Sequence, residues 1–166
     1  MALGALRLVP CGDRALLCYL GEELDEATSR LVHSLAEALR GAHPAIVEVT
    51  PGFHALMVEY DPVRIRLDHL TAMVQEAAGR TSSAEVRERV VEIPVVYGGE
   101  YGPDLDAVAA RAGLTPEEAA ARHVAGAYRV YCLGFSPGFP YLGGLDPILA
   151  TPRLDDPRVH VPDGSV

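Results

Sequence analysis

The segment 133–166 constrains the fold more than any other because it mixes proline and glycine with aromatic side chains. It holds six prolines, five glycines and the aromatic residues Phe135, Phe139 and Tyr141. Proline fixes φ and lacks a backbone N–H, whereas glycine permits positive φ. A flexible linker is rich in the same two residues, but here a strand-like run at 128–133 leads directly into the aromatics. The composition therefore predicts an ordered loop that lines a pocket.

Hydrophobic periodicity predicts the order β-β-α-β-β-α for the first half of the chain. Alternating or apolar runs predict strands at 5–9, 14–20, 46–50 and 54–60. Leucines four residues apart predict a helix over 25–40, and a second helix is expected to be capped by Asp68 and to end at Gly79. From the second strand onward this is the order of a split βαβ, ferredoxin-like domain, provided that a later strand completes it.

The second half is poorer in strands. The polar stretch 80–88 is the expected domain boundary, which divides the chain into domains 1–82 and 89–166. A strand is predicted over 89–97, a helix over 104–112, and a further helix from the capping box at 115–118 to about residue 124. Beyond residue 133 only 158–161 is strand-like. The last residues form a turn that no strand follows, so we expect that the chain is cut short.

The basic residues exclude two kinds of chemistry. All fourteen are arginine, so neither a P-loop lysine nor a Schiff-base lysine is present on this chain. The formal net charge of −9, spread along the chain, disfavours nucleic acid as a partner. The absence of Asn and the single Gln favour a thermophilic source, although a GC-rich genome produces part of the same bias.

Targeting and metal signals are absent from the sequence. No apolar run approaches the length of a membrane span, and the N-terminus lacks the pattern of a signal peptide, so we expect a cytoplasmic protein. The three cysteines have no CxxC spacing. Neither a disulfide framework nor a metal site is expected on this chain.

The run Gly134–Gly138 matches the G-x-S-x-G elbow of esterases, but its residues contradict that function. Proline follows Ser136 and cannot donate a backbone N–H to an oxyanion hole. Cys132 with His123 is a second nucleophile candidate, yet a single cysteine on a strand is more often a small buried hydrophobe. His123 lies near a helix end, where a histidine more often satisfies a cap than acts as a base. The sequence therefore indicates no catalytic residue.

Arg153 and Arg158 are the best candidates for holding an anion. Each follows a proline, which stiffens the backbone before a planar donor that can bind a carboxylate or phosphate through two hydrogen bonds. The alternative is that both form surface salt bridges with Asp155 and Asp156, which contribute little to stability. The residues alone do not decide between the two.

The run GFSPGFPYLGGLD, the two Pro-Arg pairs and VPDGSV together resemble the allophanate hydrolase subunit 1 family. That family includes the B-subunit of 5-oxoprolinase and the Kip-type inhibitor of a sporulation histidine kinase. The resemblance covers essentially the whole chain and also includes IPVVYGG at 93–99 and His123 followed by Tyr128. It implies an α+β protein with an N-terminal α/β domain and the first part of a cyclophilin-like β-barrel, which is incomplete here.

The resemblance implies one function and leaves an alternative open. It implies a subunit of an ATP-dependent 5-oxoprolinase, which opens 5-oxoproline to glutamate together with a second barrel protein, the subunit 2 or C-subunit type. The alternative is a regulatory module that inhibits a sensor histidine kinase; a third hypothesis is a subunit with a structural role only. We expect the isolated chain to be inert, ATP to be bound only with partner subunits, and no metal to be held. The expected substrate-binding residues are His123, Phe135, Phe139, Tyr141, Arg153 and Arg158.

Overall fold

The structure, a computed structural model, describes residues 6–81 and 89–165. It is a mixed α+β fold with antiparallel sheets, which confirms the predicted class. The chain divides into a first unit, residues 1–91 with 130–141, and a second unit, residues 92–129 with 142–166. Most of the stretch 80–88, where the boundary is predicted, lies outside the described residues, because residues 82–88 are not described. The domains 1–82 and 89–166 therefore stay a prediction.

The first unit is built on a four-stranded antiparallel sheet with the order β1-β2-β4-β3. Its strands are β1 (Arg7–Cys11), β2 (Ala15–Tyr19), β3 (Ile46–Pro51) and β4 (Ala55–Tyr60). The hairpin between β1 and β2 turns at Gly12, whose φ of +64° suits a residue without a Cβ. Four predicted strands are thus confirmed to within about two residues at each end.

Strand β4 lies between β2 and β3 and runs antiparallel to both, so β2 and β3 are parallel to each other. The edge beside β2 is occupied by β1. The split βαβ order requires a later strand to complete this sheet. Among the described residues no later strand joins it, because the N-terminal strand already pairs with β2 at that edge.

Two helices follow the strands of the first unit. Helix α1 (Glu26–Leu39) is capped by Asp25, whose carboxylate accepts a hydrogen bond from the Thr28 N–H at 2.8 Å. Helix α2 (Leu67–Arg80) differs from its prediction at both ends. Asp68 lies inside the first turn and pairs with Arg66, and the helix continues through Gly79 by one residue. Glycine ends a helix when it adopts the left-handed conformation just after the last helical residue, whereas Gly79 is itself a helical residue.

Alternation along β2 and β4 places one set of side chains in the core. Leu16, Cys18, Leu56 and Val58 are fully buried, as are the helix residues on the facing stripes. The helix residues of this core are Val32, Leu35, Ala36, Leu39, Leu70, Val74, Ala77 and Ala78. Burial of this apolar face, and not helix propensity alone, is what holds α1 and α2 in place.

Residues 130–141 of the first unit form most of a two-stranded hairpin, β5 (Arg129–Leu133) and β6 (Pro140–Gly143). The sequence predicts β5 but gives no signal for β6. Pro140 begins that strand, and proline is tolerated at the first residue of a strand because no ladder hydrogen bond is lost there.

The second unit contains α3 (Leu105–Ala112) and α4 (Pro116–Ala125), both as predicted, and two short 3₁₀ turns at Gly99–Tyr101 and Pro147–Leu149. The predicted capping box of α4 is confirmed, because Thr115 and Glu118 each bond the other's backbone N–H. Gly113 has φ +69° and ends α3 in the left-handed conformation. The second unit has a small hydrophobic core, formed by the buried residues Ala109, Ala119 and Leu149.

The strands predicted over 89–97 and 158–161 are wrong, since neither segment is a strand in the structure. Both segments are rich in valine, which favours strands, yet Val90 and Val159 are almost fully exposed. A strand exists only when another strand accepts its ladder hydrogen bonds, and no such neighbour stands beside either segment in the described part of the chain. Within that part, no helix is long and apolar enough to cross a membrane.

Candidate functional site

Five aromatic side chains of the first unit form a continuous row of ring contacts. Phe53 contacts Tyr131 and Tyr141, with centroids 6.3 and 5.5 Å apart. Phe139 then contacts both Tyr141 and Phe135, at 5.4 and 5.6 Å, in edge-to-face geometry. Such tilted and edge-to-face contacts are the favoured arrangement of aromatic rings. The structure thus brings together the three aromatic residues predicted from the sequence, and adds Phe53 and Tyr131 to form what we call the aromatic row.

The loop 134–139 is held by three backbone hydrogen bonds. The Phe139 N–H donates to the Ser136 carbonyl at 3.0 Å, with Pro137 and Gly138 between them. Gly138 has φ +81°, which is the pattern of a type II turn with proline and glycine at its centre. The Gly134 N–H in turn donates to the Phe139 carbonyl at 3.0 Å. These bonds support the prediction of an ordered loop.

Phe135 is the exception in this loop. Its φ of +63° makes it the one non-glycine residue with positive φ in the described part of the chain. The Ser136 N–H donates to the Gly134 carbonyl at 2.7 Å, so Phe135 is the centre of a γ-turn of the rare, strained type. The residue is nevertheless 90% exposed. Strained backbone of this kind clusters at functional sites, which makes Phe135 a candidate binding position.

The two nucleophile candidates are not activated. Ser136 enters a turn and no helix follows it, so the esterase elbow is absent, as the prolines predict. Burial raises the pKa of the Cys132 thiol, which disfavours the thiolate. Among the described residues, no group of three or more His, Cys, Asp or Glu side chains could hold a metal ion.

His123 stands in the last turn of α4, in the second unit, between two tyrosines. Its Nδ1 lies 2.5 Å from the Tyr97 hydroxyl, and its ring is 5.7 Å from that of Tyr97 and 5.0 Å from that of Tyr128. The Tyr128 hydroxyl donates to the His123 carbonyl at 2.9 Å. Burial raises the pKa of both tyrosines, and for Tyr128 the charges of Tyr97 and Asp146 act in the same direction.

The sequence indicates His123 as a binding residue and gives no comparable indication for Tyr97. The signal that could have found it is the run of apolar residues at 93–97 that ends in a tyrosine followed by two glycines. That pattern is typical of the end of a strand. Without the tertiary structure, nothing in the sequence relates Tyr97 to a histidine 26 positions later.

Arg158 forms a two-pronged ion pair with Asp104, also in the second unit. Its Nη1 and Nη2 each lie 2.5 Å from one carboxylate oxygen. The hydrogen bonds from Arg158 lower the pKa of the Asp104 carboxyl. The salt bridges considered for Arg153 and Arg158 with Asp155 and Asp156 do not form; Arg158 instead reaches a carboxylate 54 positions away.

Arg153 is exposed and makes no hydrogen bond or ion pair with any residue that the structure describes. Its guanidinium is therefore available to an anion, whereas that of Arg158 is already engaged. An open depression of about 630 Å³ on the first unit, lined by Tyr60, Arg66 and Gln75 among others, contains none of the predicted binding residues.

The family match assigns the chain to a carboxyltransferase-type domain. Residues 6–166 match the family described as carboxyltransferase domain, subdomain C and D. The chain is 40% identical to the 5-oxoprolinase B-subunit of Bacillus subtilis and 39% identical to that of Escherichia coli O157:H7, with 93% of this chain covered in each case. The protein of the same name from Haemophilus influenzae is 37% identical over 97% of this chain. The chain belongs to the family of 5-oxoprolinase B-subunits.

Solved structures agree with this assignment. The crystal structure of TTHA0988 superposes with a TM-score of 0.76 at 41% identity and covers 90% of this chain. The urea carboxylase of Kluyveromyces lactis has the same fold at a TM-score of 0.55 and 16% identity, over 81% of this chain. The chain spans 70–75% of the length of the three curated relatives, 29% of TTHA0988 and 14% of the urea carboxylase.

Proposed function

We propose that this chain is part of a subunit of an ATP-dependent 5-oxoprolinase, which opens the ring of 5-oxoproline to give glutamate. The observation that carries the proposal is the 37–40% identity to three proteins named as the B-subunit of 5-oxoprolinase, over more than nine-tenths of the chain. The alternative of a histidine-kinase inhibitor has no support from those relatives.

The proposed binding roles follow the chemistry of each side chain. Phe135, Phe139 and Tyr141 offer an apolar wall, and the strained exposure of Phe135 supports its direct contact with a ligand. Arg153 is the free guanidinium and is proposed to pair with a carboxylate or phosphate. Arg158 binds an anion only if Asp104 is displaced. His123 has one ring nitrogen engaged and is proposed to contact the substrate through the other.

Several finer features are proposed together with this function. A split βαβ arrangement is supported by the position of β4 between β2 and β3. A cyclophilin-like barrel for residues 89–166 and a second barrel subunit as partner rest on the family resemblance. A cytoplasmic location stays an expectation from the sequence. ATP is proposed to bind with the partner subunits, because this chain has no lysine to hold phosphates.

The test is ATP-dependent release of glutamate from 5-oxoproline by the full-length protein, measured with and without its partner subunits. We expect turnover only in the assembled complex, because neither nucleophile candidate on this chain, Ser136 or Cys132, is activated. Absence of turnover in a complex of verified composition would contradict the proposal. Turnover by the isolated 166-residue chain would contradict the expectation that it is inert.

Variants of the assembled enzyme test the residue roles. We expect Arg153→Ala to cost about 1.5–3 kcal/mol of transition-state stabilisation, which is typical of a hydrogen bond to a charged group. Arg153→Lys should restore only part of it, because lysine lacks the planar fork. Arg111→Ala, a change of another exposed arginine, is the matched control. Equal activity in Arg153→Ala and Arg111→Ala would remove Arg153 from the site.

A further inference from the structure

We propose that Tyr97 is a positioning residue for His123. By donating its hydroxyl hydrogen to Nδ1, it keeps the imidazole proton on Nε2, so that His123 offers an N–H donor to a carboxylate or carbonyl oxygen of the ligand. Both side chains belong to the second unit, and the hydroxyl lies 2.5 Å from Nδ1. The inference relies on the proposed function only for the choice of 5-oxoproline as that ligand.

Hydrogen-bond accounting selects the direction of the Tyr97–His123 bond. A neutral imidazole has one N–H donor and one acceptor nitrogen, and a phenol can donate one hydrogen. Within the described residues the Tyr97 hydroxyl has no acceptor other than Nδ1. If Nδ1 carried the proton instead, the Tyr97 hydroxyl would accept that hydrogen and would have no acceptor in the described protein for its own. The raised pKa of Tyr97 agrees with a phenol that keeps its hydrogen.

The packing around His123 holds the ring in one orientation. The Tyr128 ring lies against it, and the Tyr128 hydroxyl is tied to the His123 carbonyl. Gly126 makes this possible, since a Cβ at that position would lie 2.9 Å from the tip of the Tyr128 ring. Arg122 and Asp146 form an ion pair in the same unit at 2.8 Å, so the carboxylate whose charge acts on the Tyr128 pKa is already paired.

The second ring nitrogen of His123 is left for a ligand. Nε2 has no hydrogen-bond partner among the described residues. In that part of the chain, no fully buried side-chain nitrogen or oxygen lacks a hydrogen-bond partner. Since Nε2 has no partner, it is not fully buried and is accessible to solvent. An oriented N–H that faces solvent can donate to an oxygen acceptor, and 5-oxoproline carries both a carboxylate and a lactam carbonyl.

The first test is the tautomer of His123, measured by ¹⁵N NMR of the full-length protein labelled at histidine. His33 is an internal standard, because its Nε2 faces the Tyr131 carbonyl at 2.8 Å and must carry a proton to bond it. We expect His123 to show the same Nε2–H pattern, and Tyr97→Phe to convert it into a mixture of tautomers. A proton on Nδ1 of His123 in the unaltered protein would overturn the inference.

The second test uses the assembled enzyme and a matched pair of substitutions. The side-chain amide nitrogen of glutamine lies near the place of Nε2, whereas that of asparagine lies near Nδ1. We therefore expect His123→Asn to raise the KM for 5-oxoproline about tenfold or more. His123→Gln should raise KM less than His123→Asn does, and Tyr97→Phe should raise KM to an intermediate extent. An unchanged KM in His123→Asn and Tyr97→Phe, in an enzyme that still turns over 5-oxoproline, would overturn the inference and leave the proposed function intact. A complex without turnover would refute the proposed function, while the NMR test would still decide the tautomer.

Discussion

His33 and Tyr131 lie 98 positions apart in the sequence and are joined by a hydrogen bond of 2.8 Å from the histidine Nε2 to the tyrosine carbonyl. Since a carbonyl can only accept, the direction of this bond is certain. His33 belongs to α1 and Tyr131 to β5, and both are in the first unit. This hydrogen bond therefore links strand β5 to helix α1 within the first unit.

We expect His33→Ala to destabilise the first unit by about 1–2 kcal/mol, because the partly buried carbonyl of Tyr131 would lose its donor. Chemical denaturation measures the change in the free energy of unfolding. Hydrogen exchange of the native protein measures the β5 amides, which should exchange faster in the variant. Ala38→Gln, an exposed change on the same helix, is the control and should stay within about 0.5 kcal/mol of the original. Equal stability of the two variants would show that the His33 hydrogen bond does not stabilise β5.

Phe135 allows backbone strain and side-chain function to be separated. Phe135→Gly and Phe135→Ala both remove the exposed ring, but only glycine relieves the positive φ. We expect Phe135→Gly to be more stable than Phe135→Ala by about 1 kcal/mol. Both should bind 5-oxoproline less well in the assembled enzyme if the ring contacts substrate. A Phe135→Ala protein at least as stable as Phe135→Gly would show that the γ-turn does not persist in solution.

The capping box of α4 should contribute measurably to stability. We expect Thr115→Ala to cost about 1 kcal/mol, because the Glu118 N–H would lose its acceptor. Hydrogen exchange at the amides of α4 measures this locally. Glu117→Ala is the control, since that side chain takes no part in the capping box. Faster exchange in Glu117→Ala than in Thr115→Ala would contradict the assignment.

The pair of Arg158 and Asp104 predicts a pH effect with a defined sign. The carboxyl pKa is lowered below its ordinary 3.8 by Arg158, so the pair stabilises the fold above that value and ceases to do so as the pH falls through the lowered pKa. We expect Arg158→Ala to return the Asp104 pKa towards 3.8, as measured by carbon NMR of the carboxyl group. Asp68, whose pKa is lowered by Arg66, is an internal control that should not move. An unchanged Asp104 titration in Arg158→Ala would show that the pair is not formed in solution.

The same pair also makes a prediction about binding. If Arg158 binds the substrate anion, Asp104 competes for the same donors. Asp104→Asn should then lower the KM for 5-oxoproline in the assembled enzyme, and Arg158→Ala should raise it. Asp106→Asn, a change in the first turn of the same helix, is the matched control. If KM in Asp104→Asn equals that of Asp106→Asn, Arg158 has a structural role only.

The sequence predicts the elements of the first unit well because their signals are local. Apolar alternation marks β2 and β4, and the spacing of Leu31, Leu35 and Leu39 marks α1. The box at Thr115 and Glu118 likewise contains its own hydrogen-bond partners within four residues. Such features depend on neighbours in sequence and need no information on the rest of the chain. They suffice to define the α+β class.

The predictions that failed depended on distant neighbours. Residues 89–97 and 158–161 have strand-like composition, yet a strand requires a partner whose existence the segment itself does not encode. Strand β6 is not predicted for the converse reason. Its segment begins with proline and ends with glycine, which disfavours a strand, but β5 provides the hydrogen-bonding partner that makes it one. Register and pairing are properties of two segments at once.

The sequence by itself determined the family, the α+β class and the rigid path of the loop after β5, because motif, periodicity and the conformational limits of proline and glycine are all carried by local residues. The tertiary structure decided which side chains act together. It paired Arg158 with Asp104, Tyr97 with His123, and His33 with Tyr131, over separations of 54, 26 and 98 positions. Hydrogen bonds act over about 3 Å, so their partners are set by where the folded chain places each residue and not by its position in the sequence.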